Sequence, residues 1–233
     1  MVLSFFMIYR RGKSMQILVS DHFETYNRCP RAFYYKYILG FKVFQPKNKF
    51  ALGKNIHALA AYKAKGMNID KLLENLTDEE KMHFDNLIES GFFDLPQIAS
   101  EWGFDVELVD GFWLNGRIDA VFEKSGKIII VDWKTGENLP STPEDSFQAM
   151  IYLYALFQSR KEFCLEFSSS DMEFCFVETQ KPRSFKSIIL KEDGIKNIKN
   201  KLSVMARKIY SDEVFSCKKN NCKFCDYMEI CSY

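Results

Sequence analysis

The sequence predicts an α/β fold, and three observations carry the prediction. Apolar runs with strand-like alternation cover 103–109, 112–123 and 127–134, joined by Asp110-Gly111 and Ser125-Gly126 turns, so a meander is expected. Two more strand-like runs, 172–179 and 184–190, follow an intervening helical segment at 144–158. Helical segments also precede the first strand and follow the last. That order places helices on both sides of a sheet and leaves the N-terminal helices and the cysteine-rich tail as an accessory lobe.

Each element has its own justification. Residues 1–9 are apolar but precede Arg10, Arg11 and Lys13, whereas a signal peptide puts its charges first. The recognisable pattern begins near Met15, so residues 1–14 read as an N-terminal extension. Ser20-Asp21-His22-Phe23 opens a helix that carries Tyr26, Cys29, Phe33, Tyr34 and Tyr37 at helical spacing and is interrupted by Pro30; the aromatic stripe reads as core. A second helix follows Gly53 and contains His57, Leu59 and Tyr62. The charged helical stretch over 70–89 reads as a solvated face, ended by a break across 91–96. Beyond the meander, a Pro/Ser/Thr loop over 138–143 leads into the helix at 144–158. Phe147, Met150, Ile151, Tyr154 and Leu156 form its buried side, while Gln148 and Tyr152, one turn apart, project together. A Lys-rich helix over 192–210 precedes the cysteine tail.

Composition bounds the function. A chain of 233 residues with 47% hydrophobic content can bury a sizeable core. A net charge of +1 argues against diffuse cationic wrapping of nucleic acid, so phosphate contacts must come from local clusters or bound metal. The densest basic stretch, Lys196, Lys199, Lys201, Arg207 and Lys208, reads first as a solvated helix face and second as a phosphate-binding surface. Seven cysteines without a leader predict a reducing intracellular compartment, the cytoplasm, or the host cytoplasm for a viral chain, with thiols serving as ligands or core rather than disulfides. No apolar run approaches the roughly 20 residues of a membrane span, so no membrane partner is expected.

The chemistry concentrates in residues 116–136. The run Lys127-Ile128-Ile129-Ile130-Val131-Asp132-Trp133-Lys134 is apolar until its end, as a strand leaving a core for a cleft would be. Across the Ser125-Gly126 turn, Asp119 on the preceding run can face Asp132. Two carboxylates and an amine converging there are the parts of a metal-dependent phosphodiesterase. Mg²⁺ and Mn²⁺ prefer hard oxygen ligands, which Asp119, Asp132 and the Val131 backbone carbonyl can supply. Bound metal can acidify a water, stabilise the phosphorane and neutralise the leaving alkoxide.

The pattern Gly116-Arg117-Ile118-Asp119, then Val131-Asp132-Trp133-Lys134-Thr135-Gly136, then Gln148-x-x-x-Tyr152 resembles the RecB-type branch of the PD-(D/E)XK nuclease superfamily. Cys29 before a proline and Cys222-x-x-Cys225-x5-Cys231 resemble its iron–sulfur subgroup, to which AddB-type nuclease domains and the RecB-like nuclease of CRISPR adaptation belong. The resemblance implies a restriction-endonuclease-like core, a mixed central sheet flanked by helices, with a helical N-terminal lobe and an Fe–S tail. It divides one integrated domain into a helical lobe at 15–97, a nuclease core at 98–190 and a basic helix with cysteine tail at 191–233. It also implies that Asp119 and Asp132 bind metal, that Lys134 orients or activates the attacking water, and that Gln148 and Tyr152 lie beside the site, touching DNA or bracing the lysine. Gly53-x-x-x-His57 matches a metal-ligand histidine of the branch, and imidazole would bias the site toward Mn²⁺. Glu107, on the strand before Asp119, is a candidate outer or second-metal ligand, and Arg117 a candidate DNA contact.

For the cysteines, spacing alone leaves two fourth ligands open. Cys217 would make a local zinc knuckle, whereas Cys29 would make a clasp between distant segments. The resemblance implies the second, a [4Fe–4S] cluster held by Cys29, Cys222, Cys225 and Cys231, with zinc as the alternative. Cys164 and Cys175 read as packed thiols in strand-like surroundings. The function so implied is a Mg/Mn-dependent deoxyribonuclease, an exonuclease on single-stranded DNA ends or flaps in recombination, repair, phage replication or CRISPR spacer processing, with a helicase or integrase as partner. The alternative is a non-catalytic DNA-end-binding Fe–S subunit of a helicase–nuclease or adaptation complex. Nothing in the sequence assigns an oligomeric state.

Overall fold

The β-branched runs pair into one seven-stranded mixed sheet. In a computed structural model, which describes residues 7–10, 13–43, 47–136 and 139–231, the strands are β1 (Met7–Arg10), β2 (Lys13–Leu18), β3 (Gln97–Val109), β4 (Phe112–Lys124), β5 (Lys127–Lys134), β6 (Met172–Glu178) and β7 (Ser184–Ile189). β4 is the axis. One edge carries β3, antiparallel along nearly its whole length. The other edge is shared: β2 pairs parallel near Leu114, and β5 pairs antiparallel from Ala120 onward. β6 then joins β5 in parallel, β7 joins β6 antiparallel, and β1 flanks β2. The β4–β5 turn places Ser125 and Gly126 at φ of 52° and 80°, the left-handed pair that a two-residue hairpin requires.

Helices cover both faces. They are α1 (Ser20–Arg28), α2 (Pro30–Phe33, continuing as a wide turn through Ile38), α3 (Lys47–Ala64), α4 (Asp70–Leu73), α5 (Asp78–Glu89), α6 (Phe147–Ser159) and α7 (Gly194–Ser211). Ile128 and Ile130 pack with Phe23, Phe147, Ile151 and Leu202 beneath α1, α6 and α7. Ile129, Val131 and Trp133 pack with Ile56, Leu59, Phe84 and Leu87 beneath α3 and α5. β5 is therefore buried on both sides, which is why its sequence is unbroken Ile and Val rather than alternating. The same alternation sends Asp132 and Lys134 toward α6.

Several expectations need correction. The N-terminal helices pack directly on the core: Phe23 stacks on Phe147 with ring centroids 5.5 Å apart. Of the expected extension, Met7–Arg10 and Lys13–Leu18 are strands, and residues 1–6 and 11–12 lie outside the described residues. β3 begins at Gln97, six residues before the predicted 103, since polar Ser100 interrupts the apolar run Ile98-Ala99 before Trp102; Glu101, within the added stretch, is left-handed (φ 49°). The stretch over 70–89 is two helices, because Thr77 caps α5 and exchanges hydrogen bonds with Glu80. Cys175 is buried in β6, but Cys164 is exposed and lies outside any strand.

Candidate active site

The ends of β4 and β5 carry two acids to one cleft. The β4–β5 ladder ends at the Ala120–Val131 pair, and Asp119 and Asp132 are the residues next to it on the two strands. Both are buried, at 8% and 2% exposure. Asp119 Oδ2 accepts a hydrogen bond from the Trp133 backbone N–H at 2.9 Å, which fixes that carboxylate and aims Oδ1 at the helix above. There His57 Nδ1 lies 3.2 Å away. Its helix, α3, passes close to the end of β5 at Gly53, where an added Cβ would sit a tight 3.2 Å from Thr135 Oγ1. Burial lowers the His57 pKa, but the Asp119 hydrogen bond and charge more than reverse this, and its pKa ends above the ordinary value.

On the opposite side of the cleft Gln148 is the hub. Its Nε2 donates to Asp132 Oδ1 at 2.6 Å and lies 3.2 Å from Tyr152 Oη; its Oε1 accepts from Lys134 Nζ at 2.8 Å. Lys134 Nζ is also 2.7 Å from Asp132 Oδ2 as an ion pair, and among the described residues this buried oxygen has no directed donor. Burial raises the Asp132 pKa, the Lys134 charge opposes that, and Asp119 adds to it, leaving Asp132 at about 6. Tyr152 is buttressed edge-on by the Phe104 ring. That ring occupies the space a side chain at 116 would need: an added Cβ on Gly116 would lie 2.6 Å from Phe104 Cζ. Glu24 of α1 caps α6 by accepting from the Phe147 N–H at 2.7 Å, so the helix that presents Gln148 is held at its first turn.

The structure thus brings together Asp119, Asp132, Lys134, His57, Gln148 and Tyr152, with Arg117 at the rim, around a cleft of about 420 Å³. Val131 is buried on β5 directly before Asp132. Glu107 is not part of this group. It is exposed at the far end of β3, opposite Trp113. The carboxylate that reaches the site is Glu101, whose ligand oxygen, with His57 nitrogen and Asp119 oxygen, falls within a mutual 4.8 Å. Glu101 Oε2 is paired with Arg117 Nε at 2.9 Å. A left-handed non-glycine residue costs about 1–3 kcal/mol. Sequence reasoning missed Glu101 because it placed the start of β3 beyond it, although 101 and 107 share strand parity.

An imidazole and three acids around a polar cleft, one acid oxygen buried without a directed donor, are a donor set suited to a hard divalent cation.

A second cluster lies at the α1–α2 junction. Cys29, Cys217, Cys222, Cys225 and Cys231 line one small cavity with Arg31, Tyr35 and Met228. Cys217 Sγ is 3.6 Å from Cys222 Sγ, and Cys29 Sγ accepts from the Lys218 N–H at 3.4 Å. The tail is tied to the N-terminal helices by further bonds: Arg31 Nε to the Phe215 carbonyl at 2.6 Å, Tyr35 Oη to the Ile230 carbonyl at 3.3 Å, and Tyr227 Oη to the Phe41 carbonyl at 3.2 Å. Among the described residues, no three of these thiols lie within 4.8 Å of one another.

A family model described as the PD-(D/E)XK nuclease superfamily matches residues 20–232. No curated protein matches the chain. Among solved structures, a crystal structure from Eubacterium rectale described as a "putative exonuclease" is similar at TM-score 0.53 and 10% identity, covering 93% of this chain and 88% of that one. The structure of SSO0001 is similar at TM-score 0.44 and 15% identity, covering 94% and 87%.

Proposed function

The chain belongs to the PD-(D/E)XK nuclease superfamily, and from that premise we propose that it is a Mg²⁺- or Mn²⁺-dependent deoxyribonuclease acting as an exonuclease on single-stranded DNA ends or flaps. The observation that carries this reading is the convergence of Asp119, Asp132 and Lys134 on one cleft, with His57 and Glu101 completing a set of metal donors. Packed acids of this kind are costly to keep buried, and a purely structural sheet end has no use for them.

His57, Glu101, Asp119 and Asp132, with the Val131 carbonyl, are the groups that would hold the cation. When bound, it supplies charge stabilisation at the phosphate and a more acidic water. Lys134, held between Asp132 and Gln148, orients the attacking water. Gln148 links the amine to the acid, and Tyr152 fixes Gln148. Arg117 is 66% exposed at the rim, and its guanidinium can leave Glu101 for a phosphate oxygen. The E. rectale protein's description and the superfamily's chemistry support DNA ends as the substrate.

For the cysteines we retain the RecB/AddB-like reading, a [4Fe–4S] cluster on Cys29, Cys222, Cys225 and Cys231, supported by their shared cavity. The place of Cys217 beside Cys222 favours a second reading, a zinc site that uses Cys217. Anaerobically purified protein should absorb near 400 nm. Cys29→Ser should abolish that absorbance and Cys217→Ser preserve it; no absorbance near 400 nm, with stoichiometric zinc that Cys217→Ser loses and Cys29→Ser keeps, would establish the knuckle. For the catalytic reading, purified protein with Mn²⁺ should degrade end-labelled single-stranded DNA, and Asp119→Ala or Lys134→Ala should abolish that while leaving the visible spectrum unchanged. Wild-type protein that binds DNA and cuts none with any divalent metal would replace the enzyme with an end-binding subunit of a helicase–nuclease or adaptation complex.

A further inference from the structure

The Lys134 side chain is held by Asp132 and Gln148, whereas its backbone is held by the chain just past the neighbouring strand β6. The Lys134 carbonyl accepts two hydrogen bonds from a single residue, the Thr179 N–H at 2.9 Å and the Thr179 hydroxyl at 3.2 Å. Thr179 is fully buried just past the end of β6. Its hydroxyl also lies 2.7 Å from Nδ1 of His83, a buried histidine of α5. Since a carbonyl can only accept, the hydroxyl proton must point at Lys134, and the hydroxyl must therefore accept from His83. This assigns a proton to Nδ1 of His83. Asn86, one turn further along α5, donates to the Thr179 carbonyl at 3.0 Å. Two side chains of one helix therefore grip one residue, which in turn grips the backbone at the end of β5.

We propose that Thr179, held by His83 and Asn86, is a positioning residue for Lys134, setting the strand end from which the amine reaches the cleft. The inference rests on the nuclease reading of that cleft. The metal donors are placed by contacts that do not use the Lys134 carbonyl: Asp119 by the Trp133 N–H, Asp132 by Gln148 Nε2 and His57 by α3. Loss of the Thr179 hydroxyl therefore separates lysine placement from metal binding. A displacement of about 1 Å at a catalytic group can cost about 10²-fold in rate, and loss of a supporting hydrogen bond typically costs 10- to 100-fold.

The test compares Thr179→Val, which keeps the branched shape and removes the hydroxyl, with Thr179→Ser, which keeps the hydroxyl. Expected for Val is a kcat 10- to 100-fold lower with KM within about threefold of wild type, Mn²⁺ affinity by EPR titration unchanged, and faster exchange of the Thr179 amide with solvent deuterium. Expected for Ser is a kcat within about threefold of wild type and near-normal amide protection. Unchanged amide exchange in the Val variant overturns the proposal, as does a Ser variant that loses kcat in parallel with Val or a parallel loss of Mn²⁺ affinity. If wild type cuts no DNA, the nuclease reading fails separately, and the amide exchange still decides whether Thr179 holds the strand end.

Discussion

Replacing Asp132 with Asn should stabilise the metal-free protein at neutral pH while removing its response to divalent cations. Asp132 is 2% exposed, and burial, only partly offset by Lys134, raises its pKa from 3.8 to about 6. A carboxyl whose pKa is higher folded than unfolded binds protons more readily in the folded state. Ionising it therefore costs stability: there is no cost below about pH 4, it grows as pH rises toward 6, and it is constant above. At about 1.4 kcal/mol per tenfold, the gap between 3.8 and about 6 corresponds to about 3 kcal/mol. Asn cannot ionise and still offers an acceptor to Gln148, while its NH2 replaces the oxygen beside Lys134 Nζ, so the amine, 31% exposed, must turn toward solvent. In chelator, urea unfolding across a pH series should show variant and wild type alike near pH 4 and the variant about 3 kcal/mol more stable at pH 7.5. Adding Mn²⁺ at a hundredfold its Kd should restore about 2.7 kcal/mol to wild type only. A stability difference that stays flat from pH 4 to 7.5, or a variant less stable than wild type at pH 7.5, refutes the idea that this charge is kept buried against its solvation cost.

Gly116→Ala should lower stability by about 1–3 kcal/mol, since the new methyl displaces the Phe104 ring; Gly116→Ala with Phe104→Leu should recover most of it, as thermal melts will show. Glu101→Gln should weaken Mn²⁺ binding about 10- to 100-fold by calorimetric titration, whereas Glu107→Gln should leave it unchanged. Glu24→Ala should cost about 1 kcal/mol through the lost cap on α6, read by urea unfolding.

The sheet and the acid pair were legible because their signals are local. The β5 run announces a doubly buried strand, and the Ser125-Gly126 turn sets the hairpin register that brings Asp119 and Asp132 to the same end of the ladder. Gln148 and Tyr152 were legible for the same reason, since residues four apart on one helix share a face. What failed was non-local or broke a pattern. Glu101 escaped because polar Ser100 interrupts the apolar run ahead of Trp102, so the expected strand began at 103, beyond it. Thr179 and His83 are separated by 96 positions in sequence and meet only through the packing of α5 on the sheet. The N-terminal hairpin escaped because β2 is joined to its partner β4 by nearly a hundred intervening residues, and no window of sequence displays that pairing.

The clasp between the N-terminal helices and the cysteine tail has a consequence for biosynthesis. Cys29 leaves the ribosome 193 residues ahead of Cys222, a wait of roughly 10–40 s at 5–20 residues per second. Throughout that interval the first thiol and the aromatic residues beside it lack their eventual neighbours. The emerging polypeptide must therefore stay unaggregated and unoxidised at its leading segment until translation delivers the residues that enclose it.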